Sequence, residues 1–295
     1  MSPSTTTPPP PVRFVLLDFP APHVLLVTIN LEKQMNSLPV DAVWEMHRVW
    51  KWFDDEPELR VGIITGAGKK AFSAGMDLKA PCNGRYQAYR HIYLAERQSM
   101  IASDSISASR QNSYPSTGFA GLTRRKGRKP IVAACNGHAH GGGFEIILNS
   151  DIVIASENAD FRLPDVLRGT AAMAGAFPRL CRTFGLQRAM WLGLTAHTLT
   201  AQEGLAWGLV QKIVSIDNLV KEAVDVAKLI ASMSPDSVIV TRAGIRQAWE
   251  TSSVEHATFL TGEAYAADLM AGENAKEGIL AFKEKRLPKW VPSKL

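Results

Sequence analysis

The feature that most constrains this chain is Asn136–Glu145, NGHAHGGGFE, which follows the apolar strand signature Ile131–Cys135 (IVAAC) directly. Three consecutive glycines entering an apolar helix let the backbone approach a neighbour or ligand more closely than any side chain permits. They also leave N–H groups without intrahelical partners at the positive end of that helix. A carbonyl oxygen that gains negative charge during a reaction is stabilised by such donors. Strand, glycine turn and helix in that order read as α/β. Taken alone, the run fits either tight packing or an anion-stabilising turn.

Around this turn the chain mixes strands and helices. Phe14–Phe19 and Val24–Ile29 are short apolar runs separated by Pro20, Ala21 and Pro22, and read as paired strands. Pro39 opens a helix on which Val40, Val43, Trp44, His47 and Trp50 recur at helical spacing. Val61–Thr65, Ile152–Ala155 and Val210–Val214 complete the core strands, and Thr200 with Glu203 makes a capping box. Tyr86–Met100 reads as helical and Ser103–Gly121 as a long loop. From Leu219 onward the pattern is helical, broken near Pro235 and Gly272.

Several function classes are disfavoured. No apolar run approaches the roughly 20 residues that span a bilayer, so no membrane association is expected. Cys82, Cys135 and Cys181 form neither a metal-ligand pattern nor an even disulfide framework, and read as reduced thiols. The net charge of +5 suits a polyanionic ligand without requiring one. Arg124–Lys129 (RRKGRK) reads as a solvated loop end. A non-catalytic nucleic-acid-binding module using that cluster is the remote alternative, and no nucleic-acid partner is expected.

Two further segments carry chemistry. Lys69–Lys79, KKAFSAGMDLK, follows a strand, bends tightly at its glycine and places Asp77 to cap a following helix. Phe161–Gly169, FRLPDVLRG, puts Asp165 twenty residues after Glu145, across the strand Ile152–Ala155. That placement can bring two carboxylates to one site.

The order SAG-x-D-L, N-G-x4-GG-x-E, LPD…G and Thr195–Val214 resembles the crotonase (enoyl-CoA hydratase/isomerase) superfamily, fungal peroxisomal members included. The resemblance runs from about Phe14 to Trp290 and takes in Asn30–Leu38 and Glu277–Trp290. It implies an α/β fold, a crotonase-like spiral of ββα units with a C-terminal helical segment. The implied organisation is a disordered Ser/Thr/Pro-rich arm over 1–12, a core over 13–216 with a long insert around 101–129, a helical trimerisation region over 217–290 and a tail over 291–295. A homotrimer or dimer of trimers follows from the same likeness.

The resemblance also implies roles. The backbone N–H groups of Met76 and Gly142 would form an oxyanion hole, with Glu145 and Asp165 as catalytic carboxylates. The Ala74 carbonyl would meet the adenine of coenzyme A, Lys33 lies in the early CoA-binding stretch, and Lys285 would reach a CoA phosphate. No cofactor is implied, because coenzyme A is part of the acyl-CoA substrate. Hydratases of the family place two glutamates where this chain has Glu145 and Asp165. Aspartate is one methylene shorter, which sets its carboxylate back by roughly 1.5 Å. The pair points to an enoyl-CoA hydratase, with Glu145 activating water and Asp165 orienting it or sharing the proton transfer. An isomerase relying on one acid/base is the alternative. Ser293-Lys294-Leu295 reads as a peroxisomal address, which makes an import receptor an expected partner. Peroxisomal fatty-acyl or secondary-metabolite (siderophore or toxin) acyl metabolism is the expected setting.

Overall fold

A computed structural model describes residues 5–77, 114–251 and 253–295. The expected helix Tyr86–Met100, the Asp77-capped helix, Cys82 and residues 101–113 of the insert lie outside the described residues. Cys135 is buried and Cys181 exposed, both as free thiols.

Two sheets form the core. The larger has the order β1 (Val15–Ala21), β2 (Val24–Ile29), β3 (Val61–Gly66), β5 (Ile131–Cys135), β7 (Ile152–Ser156) and β10 (Lys212–Val214). β1 and β2 are antiparallel and the remaining pairs parallel. The smaller sheet has the order β4 (Ala71–Ser73), β6 (His138–His140), β8 (Asp160–Arg162) and β9 (Leu199–Thr200). The chain therefore winds as a spiral: β3, β5 and β7 each cross the large sheet and feed the next strand into the small one. β1 runs through Pro20 to Ala21, so the hairpin turns at Pro22 and His23, where His23 takes φ 65°.

Each face of the large sheet is covered, which explains why β3 is buried at every position. Helix α1 (Val40–Asp55) and helix α2 (Gly142–Asn149) cover one side, with Val43, Met46, Trp50, Phe53, Phe144 and Ile146 packed among Leu25, Val27, Ile64 and Ala133. Helices α3 (Ala176–Phe184) and α4 (Leu186–Thr195) follow β8, and α5 (Ala201–Ala206) starts at the capping box expected from Thr200 and Glu203. Helix α6 (Leu219–Ala231) covers the opposite face with Leu219, Ala223, Ala227 and Ala231, one residue per turn. Alanine at three of those four positions lets the helix lie close to Val24, Ile63, Val132 and Ile154. Helices α7 (Pro235–Glu250), α8 (Val254–Ala271) and α9 (Glu273–Glu284) finish the chain. Among the described residues no helix is long and apolar enough to cross a membrane.

Two expectations are corrected. The arm over 1–12 is not free where it is described. The amide and hydroxyl of Thr6 donate to Glu56 Oε1 at 2.9 and 2.8 Å, and those of Thr7 donate to Oε2, both at 2.8 Å. Glu56 follows the C-terminus of α1, where the helix dipole disfavours a carboxylate, so it needs these donors. Burial alone would raise its pKa, but the Thr6 and Thr7 donors outweigh it and hold the group at about 2. The RRKGRK cluster is likewise solvated only in part, with Lys126 and Arg128 exposed. Arg125 and Lys129 are buried: Arg125 Nε donates to Asp54 Oδ2 at 3.0 Å and Lys129 Nζ to the Phe53 carbonyl at 2.8 Å. Composition counts charges but not the acceptors at the end of α1 that receive them.

Candidate active site

The parallel strands β4, β6 and β8 lie side by side, and the three segments singled out in the sequence leave their C-terminal ends. They are Ala74-Gly75-Met76, Gly141-Gly142 and Leu163-Pro164-Asp165. Open sheets bind ligands at the carboxyl ends of such strands. Two buried asparagines fix the first segment from behind. Asn36 Nδ2 donates to the carbonyls of Ala67 and Ala71 at 3.0 and 2.7 Å, and Asn136 Nδ2 to those of Gly68 and Ala71 at 2.9 and 3.1 Å.

The geometry accounts for the glycines. Gly75 takes φ +86°, and a Cβ there would stand 2.9 Å from the nitrogen of Gly142. A Cβ on Gly143 would stand 2.1 Å from the Ser73 carbonyl oxygen, and one on Gly142 2.6 Å from the Phe119 ring. The two turns therefore touch backbone to backbone. Met76 bridges Leu38 in parallel register through Leu38 N–H to the Gly75 carbonyl (2.8 Å) and Asp77 N–H to the Leu38 carbonyl (3.0 Å). In that pattern the N–H of Met76 itself points away from Leu38. Gly142 opens α2, whose first bond runs from Glu145 N–H to the Gly141 carbonyl at 3.0 Å, so the Gly142 N–H has no intrahelical acceptor. Two adjoining backbone donors are the parts of an oxyanion hole.

Two carboxylates lie beside it. Glu145 sits on the first turn of α2, 5% exposed, and its Oε1 accepts the Ala176 N–H at 3.1 Å. Burial, reinforced by the nearby Asp165 charge and opposed by the Ala176 N–H, pushes its pKa up to about 8. Asp165 lies in the turn Pro164–Arg168, and burial raises its pKa as well. Its Oδ2 is buried without a hydrogen-bond partner and stands 3.9 Å from where a Gly141 Cβ would be. A buried, unpartnered carboxylate oxygen facing the oxyanion turn is a group arranged for a ligand rather than for packing.

The other expected residues divide. Ala74 N–H donates to the Met35 carbonyl at 2.9 Å, which ties the Asn30–Leu38 stretch to the turn after β4, and Lys33 lies exposed on a 3-10 turn of that stretch. Lys285, exposed after α9, has no described contact joining it to the site within this chain. In the tail, Ser293 is half-buried, Lys294 pairs with Glu273 at 2.6 Å, and Arg128 donates to the Leu295 carbonyl. Sequence reading passed over Phe119, whose ring walls the site, and Arg179. Arg179 Nη1 donates to the Gly175 carbonyl and Nε to Asn149 Oδ1, both at 3.0 Å. It thereby holds the Gly175–Ala176 peptide that donates to Glu145. The one sequence signal was an arginine facing back on α3 toward its N-terminal glycine.

Comparisons with known proteins agree with this geometry. A profile of the family described as enoyl-CoA hydratase/isomerase matches residues 21–108 and 98–292. The chain is 44% identical over 286 residues to a mevalonyl-coenzyme A hydratase of Aspergillus fumigatus, covering 97% of this chain and 98% of the relative. It is 35% identical over 258 residues to a carnitinyl-CoA dehydratase of Proteus mirabilis, covering 86% and 90%. Among solved structures, an enoyl-CoA hydratase from Bacillus anthracis superposes with a TM-score of 0.79 at 29% identity, covering 95% of this chain and all of that one.

Proposed function

Because the chain belongs to the enoyl-CoA hydratase/isomerase family, we propose that it interconverts mevalonyl-coenzyme A and its 2,3-dehydrated enoyl thioester. The observation that carries the reaction type is the pairing of buried Glu145 with half-buried Asp165 beside two backbone donors. The substrate rests on the 44% identity to a mevalonyl-coenzyme A hydratase over nearly the whole length of both chains.

The thioester oxygen sits between the N–H groups of Met76 and Gly142. With its acidity suppressed by burial, Glu145 holds a proton near neutral pH and serves as the proton donor, so the water-activating role expected of it passes in this reading to Asp165 as the ionised carboxyl. In the hydration direction the water oxygen bonds to the β-carbon and its proton passes to the ionised carboxyl. The double-bond electrons move onto the thioester oxygen as an enolate, which the two N–H groups stabilise. The protonated carboxyl then gives its proton to the α-carbon as the thioester re-forms. Dehydration is the reverse. A double-bond isomerase moves one proton between two carbons and does not require the second carboxyl. Lys33 and Ala74 belong to the CoA-binding side of this reading, and Lys285 acts only if a neighbouring subunit brings it to a phosphate.

The same reading includes assembly through the C-terminal helices and delivery to the peroxisome by Ser293-Lys294-Leu295. The setting is acyl-chain supply for a secondary metabolite. The decisive assay follows the conjugated enoyl-thioester absorbance with mevalonyl-CoA, crotonyl-CoA and a 3-enoyl-CoA. Turnover of mevalonyl-CoA at least tenfold above crotonyl-CoA is expected. Conversion of the 3-enoyl-CoA alone would replace this reading with the isomerase. A fluorescent reporter carrying the final residues, with and without the tripeptide, tests the address.

A further inference from the structure

A second cluster lies on the small sheet, on strands that the proposed reaction uses only at their ends. Ala139 and Phe161 are buried, so the alternate positions His138, His140 and Asp160 project together from the other, partly open face. His138 and Asp160 are direct cross-strand partners, and His140 is two residues along. His138 Nδ1 lies 2.8 Å from Asp160 Oδ2, His140 Nε2 lies 2.6 Å from Asp160 Oδ1, and one ligand atom from each residue falls within 4.8 Å of the others.

We propose that His138, His140 and Asp160 bind a divalent transition-metal ion of the zinc class, which clamps β6 to β8. Two imidazoles and one carboxylate are the donor set such ions take, whereas magnesium and calcium prefer oxygen throughout. Metal bonds of about 2.0–2.2 Å at tetrahedral angles place neighbouring donors roughly 3.3 Å apart, so the two His–Asp contacts open by roughly half an ångström. Each neutral imidazole binds through the nitrogen now facing Asp160 and carries its proton on the other one, His138 on Nε2 and His140 on Nδ1. The His138 side chain is 43% exposed, which leaves an entry path and room for a water as the fourth ligand.

The position gives the ion a consequence. His140 directly precedes Gly141-Gly142 on β6, and Asp160 begins the strand that leads to Asp165. A clamp between these strands fixes the oxyanion turn relative to the second carboxylate. The ion is a structural tie for the site and takes no part in the proton transfers.

The test uses the full chain, stripped with a chelator and titrated with Co2+ and then Zn2+. One ion per chain is expected, with visible Co2+ absorbance of a four- or five-coordinate site displaced by Zn2+, and a higher melting temperature with Zn2+. His140→Ala and Asp160→Asn should each weaken uptake by about 100-fold or more, whereas His256→Ala, on the exposed start of α8, leaves it unchanged. Anomalous scattering from zinc-soaked crystals of the unaltered protein checks the same point even if a variant fails to fold. Absence of stoichiometric uptake, uptake insensitive to both variants, or a zinc peak away from these three residues would overturn the proposal.

Discussion

Glu145 shows why a residue can be costly to stability and still be retained. Its pKa is about 8 in the folded chain against an ordinary 4.5, so between those values the folded state binds one proton more than the unfolded state. Stability therefore falls as pH rises across that window. Glu145→Gln keeps the shape without the titration. It should raise stability at pH 8 by about 1–3 kcal/mol, read from urea midpoints, while lowering kcat by about 100-fold or more. The same group should set the alkaline limb of the activity profile, with kcat/KM declining as pH passes about 8. Asp165→Asn, which removes the other carboxyl, should cost about 100- to 10,000-fold in kcat with little change in melting temperature. The glycines divide by what they touch. Gly143→Ala drives a methyl toward the Ser73 carbonyl, 2.1 Å from its ideal position, and should destabilise by about 1–3 kcal/mol. Met76→Leu alters only the side chain of an oxyanion residue and should keep kcat within about threefold.

Helix α7 is the element whose attachment bears most directly on the site. Arg242 Nε and Arg246 Nη2 donate to Asp151 at 2.9 and 2.7 Å, and Arg246 Nη1 donates to Asn149 Oδ1 at 2.7 Å. Asn149 is also the acceptor for Arg179, so α7, the end of α2 and the Glu145 donor peptide share one network. Burial alone would raise the Asp151 pKa, but the two guanidinium groups outweigh it and lower the value below its usual 3.8. The stability this contributes is present above 3.8 and is lost as pH falls through the depressed folded value. Asp151→Ala leaves both arginines partly buried without their carboxylate partner. It should cost about 3–5 kcal/mol in urea unfolding at pH 7, with a smaller cost at pH 2. None of this network was legible in the sequence, because it joins residues about 90 positions apart and no local period marks it. The elements themselves were legible. β2 and β5 have the expected bounds, since apolar runs, interrupted in β2 only by Thr28, between turn residues mark strands buried on both faces. The two turns stand out because close backbone approach leaves a glycine signature, whereas Glu145 and Asp165 are singled out only by the family resemblance. The docked arm was missed because hydroxyls that satisfy one buried carboxylate look like ordinary linker residues.

For the whole molecule, the C-terminal helices pose a problem that one chain does not solve. Phe259, Met270, Ile279, Leu280, Phe282 and Leu287 are all exposed, Phe282 at 86% and Leu287 at 87%. Apolar residues fall around α8 without a single sheltered face, and a helix of that kind is normally buried on several sides. Exposed large side chains on adjacent helices indicate a surface that another protein covers. The proposed cover is further copies of the same chain, with 217–290 as the trimerisation region that the family resemblance implies. The expected particle by light scattering is a trimer or hexamer of the 32.2 kDa chain. Phe259→Asp together with Phe282→Asp should shift it to monomer, because each charge would have to be buried unpaired at the interface. The variant also separates two roles of the assembly. Glu145, Asp165, Met76 and Gly142 all come from one chain, so a folded monomer retains the proposed acid/base pair and the proposed oxyanion donors. If Lys285 reaches a CoA phosphate across the interface, dissociation should raise KM for the thioester by about tenfold and leave kcat within a few-fold. Equal losses in kcat and kcat/KM would instead mean that trimer contacts shape the catalytic turn itself.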